Sequence, residues 1–268
     1  MSIRLRWLGW ACFEMVLPTG KVLITDPFID YSPTSPIKSG QLTGADYIAL
    51  THSHYDHCTD VGNLVKKFDS KVICSASIAG RLVEFFGFKW TSLVRVRAGD
   101  RLVFTDLEVE VKRAEHVYLP FKQEDELKAK YPPPLDEMMP AMIKAGLHQM
   151  PVRDMEMVNY LFQTLDNLRV LMFGGGYFEY QRHEVARARP NVVLLQIGPP
   201  ALLAEFAALS GAEVVIPYHH DARAEETHQR AREIAEQVAQ RSKARFVDIE
   251  HGKWYELGVK ASDLIQSQ

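Results

Sequence analysis

The stretch HSHYDH, at residues 52–57, constrains the fold of this chain more than any other feature. It places three histidines and one aspartate within six positions, directly after the apolar run YIALT. A short apolar run of this kind predicts a buried β-strand, and Thr59 or Asp60 can cap a helix whose apolar residues recur at helical spacing up to Phe68. The sequence therefore predicts a strand–loop–helix unit whose loop carries four side chains able to bind metal.

The rest of the chain alternates short apolar runs with turn signals, which indicates an α/β protein. Strand-like runs precede and follow the motif, and residues 76–86 form an amphipathic helix that ends at Gly87. Three runs between 92 and 116 alternate apolar and polar residues as antiparallel strands do. The second half opens with a predicted hairpin, MVNYLFQTL and LRVLMFGGG, followed by three strands that alternate with helices near 201–209 and 223–241.

Composition narrows the class of protein. The chain has 268 residues, of which 47% are hydrophobic and 24% charged, and its net charge is −3. No basic tract is present, so nucleic acid is an unlikely partner and a small-molecule substrate is expected. No apolar run approaches a membrane span and no secretion signal is evident. Three irregularly spaced cysteines fit a reducing compartment, so the expected location is cytoplasmic.

Residues 117–155 interrupt the alternation and suggest an insertion in a single domain that covers 1–268. The segment contains the charged run KQEDELKAK, the triplet Pro132–Pro134 and, from Met138 onward, a concentration of methionines. One interpretation is a helical surface insertion or a contact in a homo-oligomer. The other is a cap over a substrate pocket, where pliable methionine side chains suit an apolar ligand.

The motif can supply ligands to two adjacent metal ions, because side chains on one loop can point to either side. Imidazole nitrogens and carboxylate oxygens hold zinc and related divalent ions. Two further nitrogen ligands are needed, and two histidines stand at the ends of predicted strands. The candidate ligands are His52, His54, Asp56, His57, His116 and His219.

This pattern resembles the metallo-β-lactamase superfamily. The opening LGWACFEM…GKVLITDPFID and the closing VVIPYHHD look most like its branch of predicted metal-dependent hydrolases that includes ascorbate-6-phosphate lactonase. The resemblance implies a four-layer αββα sandwich with the site at one edge of two packed sheets. It also implies that Asp26 lies behind the ligands and orients an imidazole. Finally, it assigns His52, His54 and His116 to a first metal, and Asp56, His57 and His219 to a second.

One departure from the superfamily pattern affects the metal count. Gly175 stands where most members have an aspartate that bridges both metals. Each metal could keep three protein ligands, or the second site could lose its metal; Glu179 or Tyr177 could also substitute. The remaining nitrogen-rich ligand set favours zinc over manganese, so we expect one or two zinc ions, with manganese or iron as the alternatives.

The resulting functional hypothesis is a hydrolase that uses a metal-bound hydroxide on a small ester, lactone or phosphoester. Asp56 would orient the hydroxide and His220 would act as general acid. The alternatives are a phosphodiesterase for nucleic acid or phospholipid, and a metal-binding protein without hydrolytic activity. Lys38, Arg113 and Arg153 are candidate phosphate partners, and His148 is expected to be a surface or locally bonded histidine.

Overall fold

The computed structural model describes residues 2–116, 133, 135–148, 156–221, 224–258 and 265–266. Within these ranges the chain forms two mixed β-sheets that pack face to face. Helices cover the outer face of each sheet. The predicted four-layer αββα architecture is therefore confirmed.

The strands are short and bounded by turns. In chain order they are β1 (Ile3–Trp7), β2 (Phe13–Val16), β3 (Val22–Thr25), β4 (Tyr47–Ala49), β5 (Lys71–Ser75), β6 (Leu93–Val96), β7 (Arg101–Val103), β8 (Leu107–Ala114), β9 (Met157–Thr164), β10 (Arg169–Met172), β11 (Val192–Gln196), β12 (Val214–Tyr218), β13 (Arg245–Phe246), β14 (Tyr255–Leu257) and β15 (Ile265–Gln266). Strands β14 and β15 were not predicted from the sequence.

The first sheet has the order β15-β14-β1-β2-β3-β4-β5-β6, and the second has the order β13-β12-β11-β10-β9-β8-β7. The predicted hairpin of β9 and β10 is confirmed by their antiparallel pairing. The expectation of three consecutive antiparallel strands is wrong for β6, which pairs in parallel with β5 in the first sheet. Of the three predicted strands, only β7 and β8 pair with each other, and they do so in antiparallel fashion in the second sheet. Alternation alone could not reveal that the chain changes sheets at this point.

The helices lie on the outer faces of the sheets. They are α1 (Tyr55–Cys58), α2 (Val61–Phe68), α3 (Ala76–Phe86), α4 (Leu135–Lys144), α5 (Gln181–Ala188), α6 (Pro200–Ser210) and α7 (Ala224–Arg241). Asp60 is the N-cap residue of α2, but its carboxylate instead accepts the backbone N–H groups of Ile29 and Asp30. No helix in the described ranges is long and apolar enough to cross a bilayer.

The main core lies between the sheets, because alternate residues of each strand point inward. Residues from β2 and β12, such as Phe13 and Ile216, meet there. A second core packs the first sheet against α2, α3 and α4, and a third packs the second sheet against α5, α6 and α7. The site described below is at one edge of the main core.

Part of the predicted insertion is described, namely residue 133 and residues 135–148. Met142 and Leu147 are fully buried in the core beneath the first sheet. Both side chains pack inward against this core, and the interpretations of the insertion as a surface element or a cap stay predictions. The rest of the predicted insertion, including all of its charged run, lies outside the described residues.

Candidate metal centre

The motif occupies the turn that leaves the carboxyl end of β4 and enters α1. His116 follows β8 and His219 follows β12, so both approach the same edge of the two sheets. The six candidate ligands lie in two groups, each with ligand atoms within 4.8 Å of one another. The first group is His52, His54 and His116, and the second group is Asp56, His57 and His219.

The spacing inside the second group suits a small metal ion. Oδ2 of Asp56 lies 3.5 Å from Nε2 of His57 and 3.3 Å from Nε2 of His219. Two ligands held tetrahedrally at zinc distances are separated by about 3.3 Å. An ion between these three atoms would therefore need little rearrangement of the side chains.

The first group contains a nitrogen that is ready to bind. His52 Nδ1 lies 3.0 Å from Thr51 Oγ1, and that hydroxyl donates its own proton to Asp26 at 2.7 Å. The hydroxyl can therefore accept a hydrogen bond from the N–H at His52 Nδ1, which leaves the lone pair on Nε2. His52 Nε2 is buried and has no hydrogen-bond partner among the described residues. A buried acceptor without a partner is costly, and a bound metal ion would satisfy it.

Asp26 connects the two groups from behind. Its Oδ2 lies 2.9 Å from His57 Nδ1, and its Oδ1 accepts the backbone N–H of Thr51 at 2.8 Å. The Asp26 side chain is fully buried, and its backbone has a positive φ of 36°. This placement lets one carboxylate hold His57 directly and His52 through Thr51. Sequence reasoning identified Asp26 but missed Thr51, whose side chain carries no recognisable metal-site signal.

An Asp26→Asn variant is expected to bind zinc about 10- to 100-fold more weakly, because an amide holds an imidazole N–H less firmly than a carboxylate does. The matched control is Asp69→Asn, an exposed aspartate that also has a positive φ. Competition titration with a chromophoric zinc chelator measures both affinities. Equal affinities in the two variants would contradict the orienting role of Asp26.

The protonation states of Asp56, His52 and His54 suit cation binding, whereas at His57 the effect of burial is outweighed by Asp56 and Asp26, which raise the pKa of the ring. Burial opposes ionisation of Asp56, but His57 and His219 outweigh that effect and hold the pKa of Asp56 below its usual range. Burial, reinforced by neighbouring histidines, lowers the pKa of His52 and of His54, so both rings are neutral near pH 7. A deprotonated carboxylate and neutral imidazoles are the forms that bind metal.

Neighbouring backbone packs closely against Gly175, the residue that stands in place of the bridging aspartate. A β-carbon at Gly175 would lie 2.6 Å from the backbone oxygen of Glu115 and 2.9 Å from Met157. A β-carbon at Gly174 would lie far inside van der Waals distance of the Thr51 side chain. The glycines therefore allow this loop to lie close against the site. Replacing Gly175 by aspartate would not place a bridging carboxylate without moving Glu115.

Neither of the proposed substitutes for that aspartate faces the site. Glu179 is exposed and forms an ion pair with Arg182 at 2.8 Å. The Tyr177 hydroxyl donates to the backbone oxygen of Gln196, and its ring packs on Phe206 in the core of the second sheet. The described residues thus supply three ligands to each group.

The two other histidines of interest differ from their predicted placement. His220 Nε2 lies 3.2 Å from Asp248 Oδ1, and its ring packs 4.7 Å from that of Trp7. These contacts give the predicted general-acid role no support, and it stays a prediction. His148 was expected to be a surface or locally bonded histidine; it is 5% exposed, and its ring lies 4.5 Å from the ring of His54. Burial lowers the pKa of His148 to about 4.

Comparison with protein families gives a match over residues 21–129 to the beta-lactamase superfamily domain. A UPF0173 metal-dependent hydrolase of Metallosphaera sedula is 31% identical over 114 residues, which are 42% of this chain and 50% of the relative. A protein of the same name in Solibacter usitatus is 39% identical over 71 residues, which are 26% of this chain and 30% of that relative. The chain thus spans at most about half the length of these curated relatives.

Two solved structures share the fold over nearly the whole chain. A metallo hydrolase from the archaeon Ignicoccus hospitalis has a TM-score of 0.70 at 17% identity and covers 96% of this chain and 99% of its own. An isothiocyanate hydrolase from Delia radicum gut bacteria has a TM-score of 0.65 at 15% identity and covers 94% of this chain and 97% of its own. At such low identity the likeness is one of fold alone.

Proposed function

We propose that this chain is a metal-dependent hydrolase of the metallo-β-lactamase superfamily that acts on a small ester, lactone or phosphoester, and its similarity to that superfamily supports the proposal. The observation that carries the proposal is the pair of three-residue groups at one sheet edge. Their separation in sequence argues against chance, since each group joins the motif to a distant strand end. The proposal keeps the expectations drawn from composition, namely a small-molecule substrate and a cytoplasmic location.

The ligand set supports zinc as the proposed metal, with one ion in each group. Five imidazoles and one carboxylate form a nitrogen-rich set, which suits zinc better than manganese. Zinc, when bound, supplies a Lewis acid that polarises a carbonyl or phosphoryl oxygen and makes water a stronger nucleophile.

The side chains around the ions have separate tasks. Asp26 and Thr51 fix the orientation of His57 and His52, so that the ligand nitrogens need not reorganise during turnover. Asp56 would bind a metal ion through one carboxylate oxygen, and its carboxylate would also orient the attacking water. His116 and His219 are partly exposed, whereas the other four ligands are buried, so a substrate would enter from the side of these two residues.

The test is a reconstitution and substrate screen. Protein freed of metal with a chelator and then loaded with zinc, manganese or iron is assayed on phenyl acetate, γ-butyrolactone, 4-nitrophenyl phosphate and bis(4-nitrophenyl) phosphate. We expect hydrolysis that depends on the metal and is highest with zinc. Preference for the diester would favour the phosphodiesterase alternative, including the nucleic-acid and phospholipid substrates considered from the sequence. Binding of two zinc ions without hydrolysis of any substrate would favour a non-hydrolytic metal-binding protein.

A further inference from the structure

A continuous arc of aromatic rings runs beside the two ligand groups. It begins at His219, whose ring lies 5.0 Å from that of Trp10, and Trp10 lies 6.3 Å from Tyr55. Tyr55 lies 5.6 Å from His148, which in turn lies 4.5 Å from His54. The arc thus connects a ligand of the second group to a ligand of the first, with three non-ligand rings between them.

Trp10 is held in a strained backbone conformation. Its φ is 48°, a left-handed value that L-residues rarely adopt. Its N–H donates to both carboxylate oxygens of Asp221, at 2.9 and 3.1 Å. Its carbonyl oxygen accepts the indole N–H of Trp7 at 2.9 Å and the backbone N–H of His219 at 3.2 Å. Strain of this kind persists where surrounding contacts over-determine it, and it is concentrated at functional sites.

Phe28 supports the arc from below. It is 1% exposed, and its ring lies edge-on to Trp10 at 5.3 Å and to Tyr55 at 5.6 Å. Edge-to-face contacts fix the angle of aromatic rings. The two partly exposed rings therefore rest on a rigid base.

His148 is held equally firmly at the other end of the arc. The preceding residue, Leu147, is buried, and its backbone oxygen accepts the hydroxyl of Ser53 at 2.6 Å. Arg81 donates to the backbone oxygen of Gly146 at 3.0 Å. Ser53 lies between two of the proposed ligands, so the contact ties the end of α4 and the residues that follow it directly to the motif.

Two nitrogen atoms of the arc lack partners. Trp10 Nε1 and His148 Nδ1 are both buried and have no hydrogen-bond partner among the described residues. An indole N–H can only donate, so Trp10 needs an acceptor. Buried polar atoms without partners are uncommon and call for an explanation such as a ligand. A molecule lying on the arc with a carbonyl oxygen could satisfy the Trp10 donor.

Two of the three candidate phosphate partners, Lys38 and Arg113, contact other groups. Lys38 Nζ donates to the backbone oxygen of Asp30 at 2.7 Å. Arg113 pairs with Glu115 at 2.7 Å and lies 4.7 Å over the ring of Tyr180. Arg153 lies outside the described residues. These contacts favour an uncharged substrate over a phosphorylated one.

We propose that the arc of Trp10, Tyr55 and His148 binds an uncharged carbonyl substrate, an ester or lactone, that carries a planar apolar group beside the scissile bond. The proposal rests on the hydrolase function proposed above, because that function places the reacting bond at the two ligand groups. Ligand sites in proteins typically combine apolar and aromatic walls with a few convergent polar atoms, and the arc has both.

Binding of a matched pair of ketones tests the arc without requiring turnover. Acetophenone and acetone share a carbonyl group, but only acetophenone carries a planar ring, and neither is hydrolysed. Dissociation constants are measured by ligand-observed NMR on zinc-loaded and metal-free protein. We expect acetophenone to bind at least about tenfold more tightly than acetone, because the ring buries apolar area against the arc.

Substitutions of single residues test whether the arc causes the preference for acetophenone. Trp10→Gly, which suits the positive φ, should reduce the preference for acetophenone to below about threefold, since most of the ring contact is lost. The control Trp90→Gly removes an exposed tryptophan distant in sequence and should leave the preference unchanged. Trp10→Phe keeps a ring and should keep the preference, which provides a test if the glycine variant does not fold. Similarly, His148→Ala should weaken acetophenone binding, whereas His183→Ala, at an exposed histidine, should not.

The outcomes separate the two proposals. Equal binding of the two ketones to the unmodified protein, or an unchanged preference in Trp10→Gly, overturns the aromatic site even if the protein hydrolyses esters. A preference that depends on Trp10, without hydrolysis of any compound in the screen, supports the aromatic site and refutes the hydrolase function.

Discussion

The His54→Ala variant should lose about one of two bound zinc ions and roughly three orders of magnitude of esterase or lactonase activity. His54 supplies one of only three protein ligands in its group. Its removal leaves two imidazoles, too few to hold zinc firmly at a catalytic site, where three protein ligands are typical. The loss of several kcal/mol of Lewis-acid stabilisation corresponds to about a thousandfold in rate. Metal content by mass spectrometry and kcat/KM on the same preparation measure both effects.

The matched control is His183→Ala, which removes an exposed histidine on α5. It should retain two equivalents of zinc and full activity. His219→Ala should lose the other ion, because its ring belongs to the second group. Two equivalents of zinc in both ligand variants would show that the ions bind elsewhere. A single equivalent in the unmodified protein would point to a mononuclear site, and the ligand variant that keeps this ion would show which group is dispensable.

A Gly174→Ala variant should be destabilised by about 1–3 kcal/mol or more, and should also bind zinc less tightly. The added methyl group overlaps the Thr51 side chain, and overpacking of a buried site costs free energy of this size. Retreat of the loop is opposed by the hydrogen bond from Gly174 N–H to Asn159 at 2.8 Å. Displacement of Thr51 would misplace the hydroxyl that contacts both His52 and Asp26. Urea denaturation of the metal-free protein measures the stability separately from zinc affinity.

Gly40→Ala is the control for this substitution. A β-carbon at Gly40 would meet no atom within 4 Å, so the methyl group should leave stability within about 0.5 kcal/mol. If Gly174→Ala were as stable as Gly40→Ala and bound zinc equally well, the close packing of the glycine loop against Thr51 would be irrelevant to the site.

Much of the fold could be predicted because the sequence repeats a simple physical pattern. Apolar runs such as those of β9 and β10, separated by Asp166-Asn167, specify a hairpin locally, and Asn167 has the positive φ that such a turn requires. The change of sheet after β6 depends on which strand it meets in three dimensions. No local pattern in the sequence encodes that choice.

The candidate site, like the fold, could be predicted from the sequence only in part. Histidine and aspartate in the spacing of HSHYDH carry a chemical signal, and strand-end positions made His116 and His219 plausible partners. Thr51 and Trp10 carry no such signal, because a hydroxyl or an indole has a role here only through neighbours that are distant in sequence. His148 was expected to be a surface or locally bonded histidine, and its burial becomes evident only in the three-dimensional packing around it and Leu147.

Each ligand group draws on both sheets. His52 and His54 follow a strand of the first sheet and His116 follows one of the second, while Asp56 and His57 meet His219 in the same way. An ion in either group would therefore act as a cross-link between the two β-layers, joining parts of the chain that lie more than fifty residues apart. In neither group does one layer supply all three ligands, so a complete three-ligand site forms only when the two sheets are docked. Once bound, the ions would oppose separation of the layers, and release of metal would be coupled to opening of the sandwich at that edge.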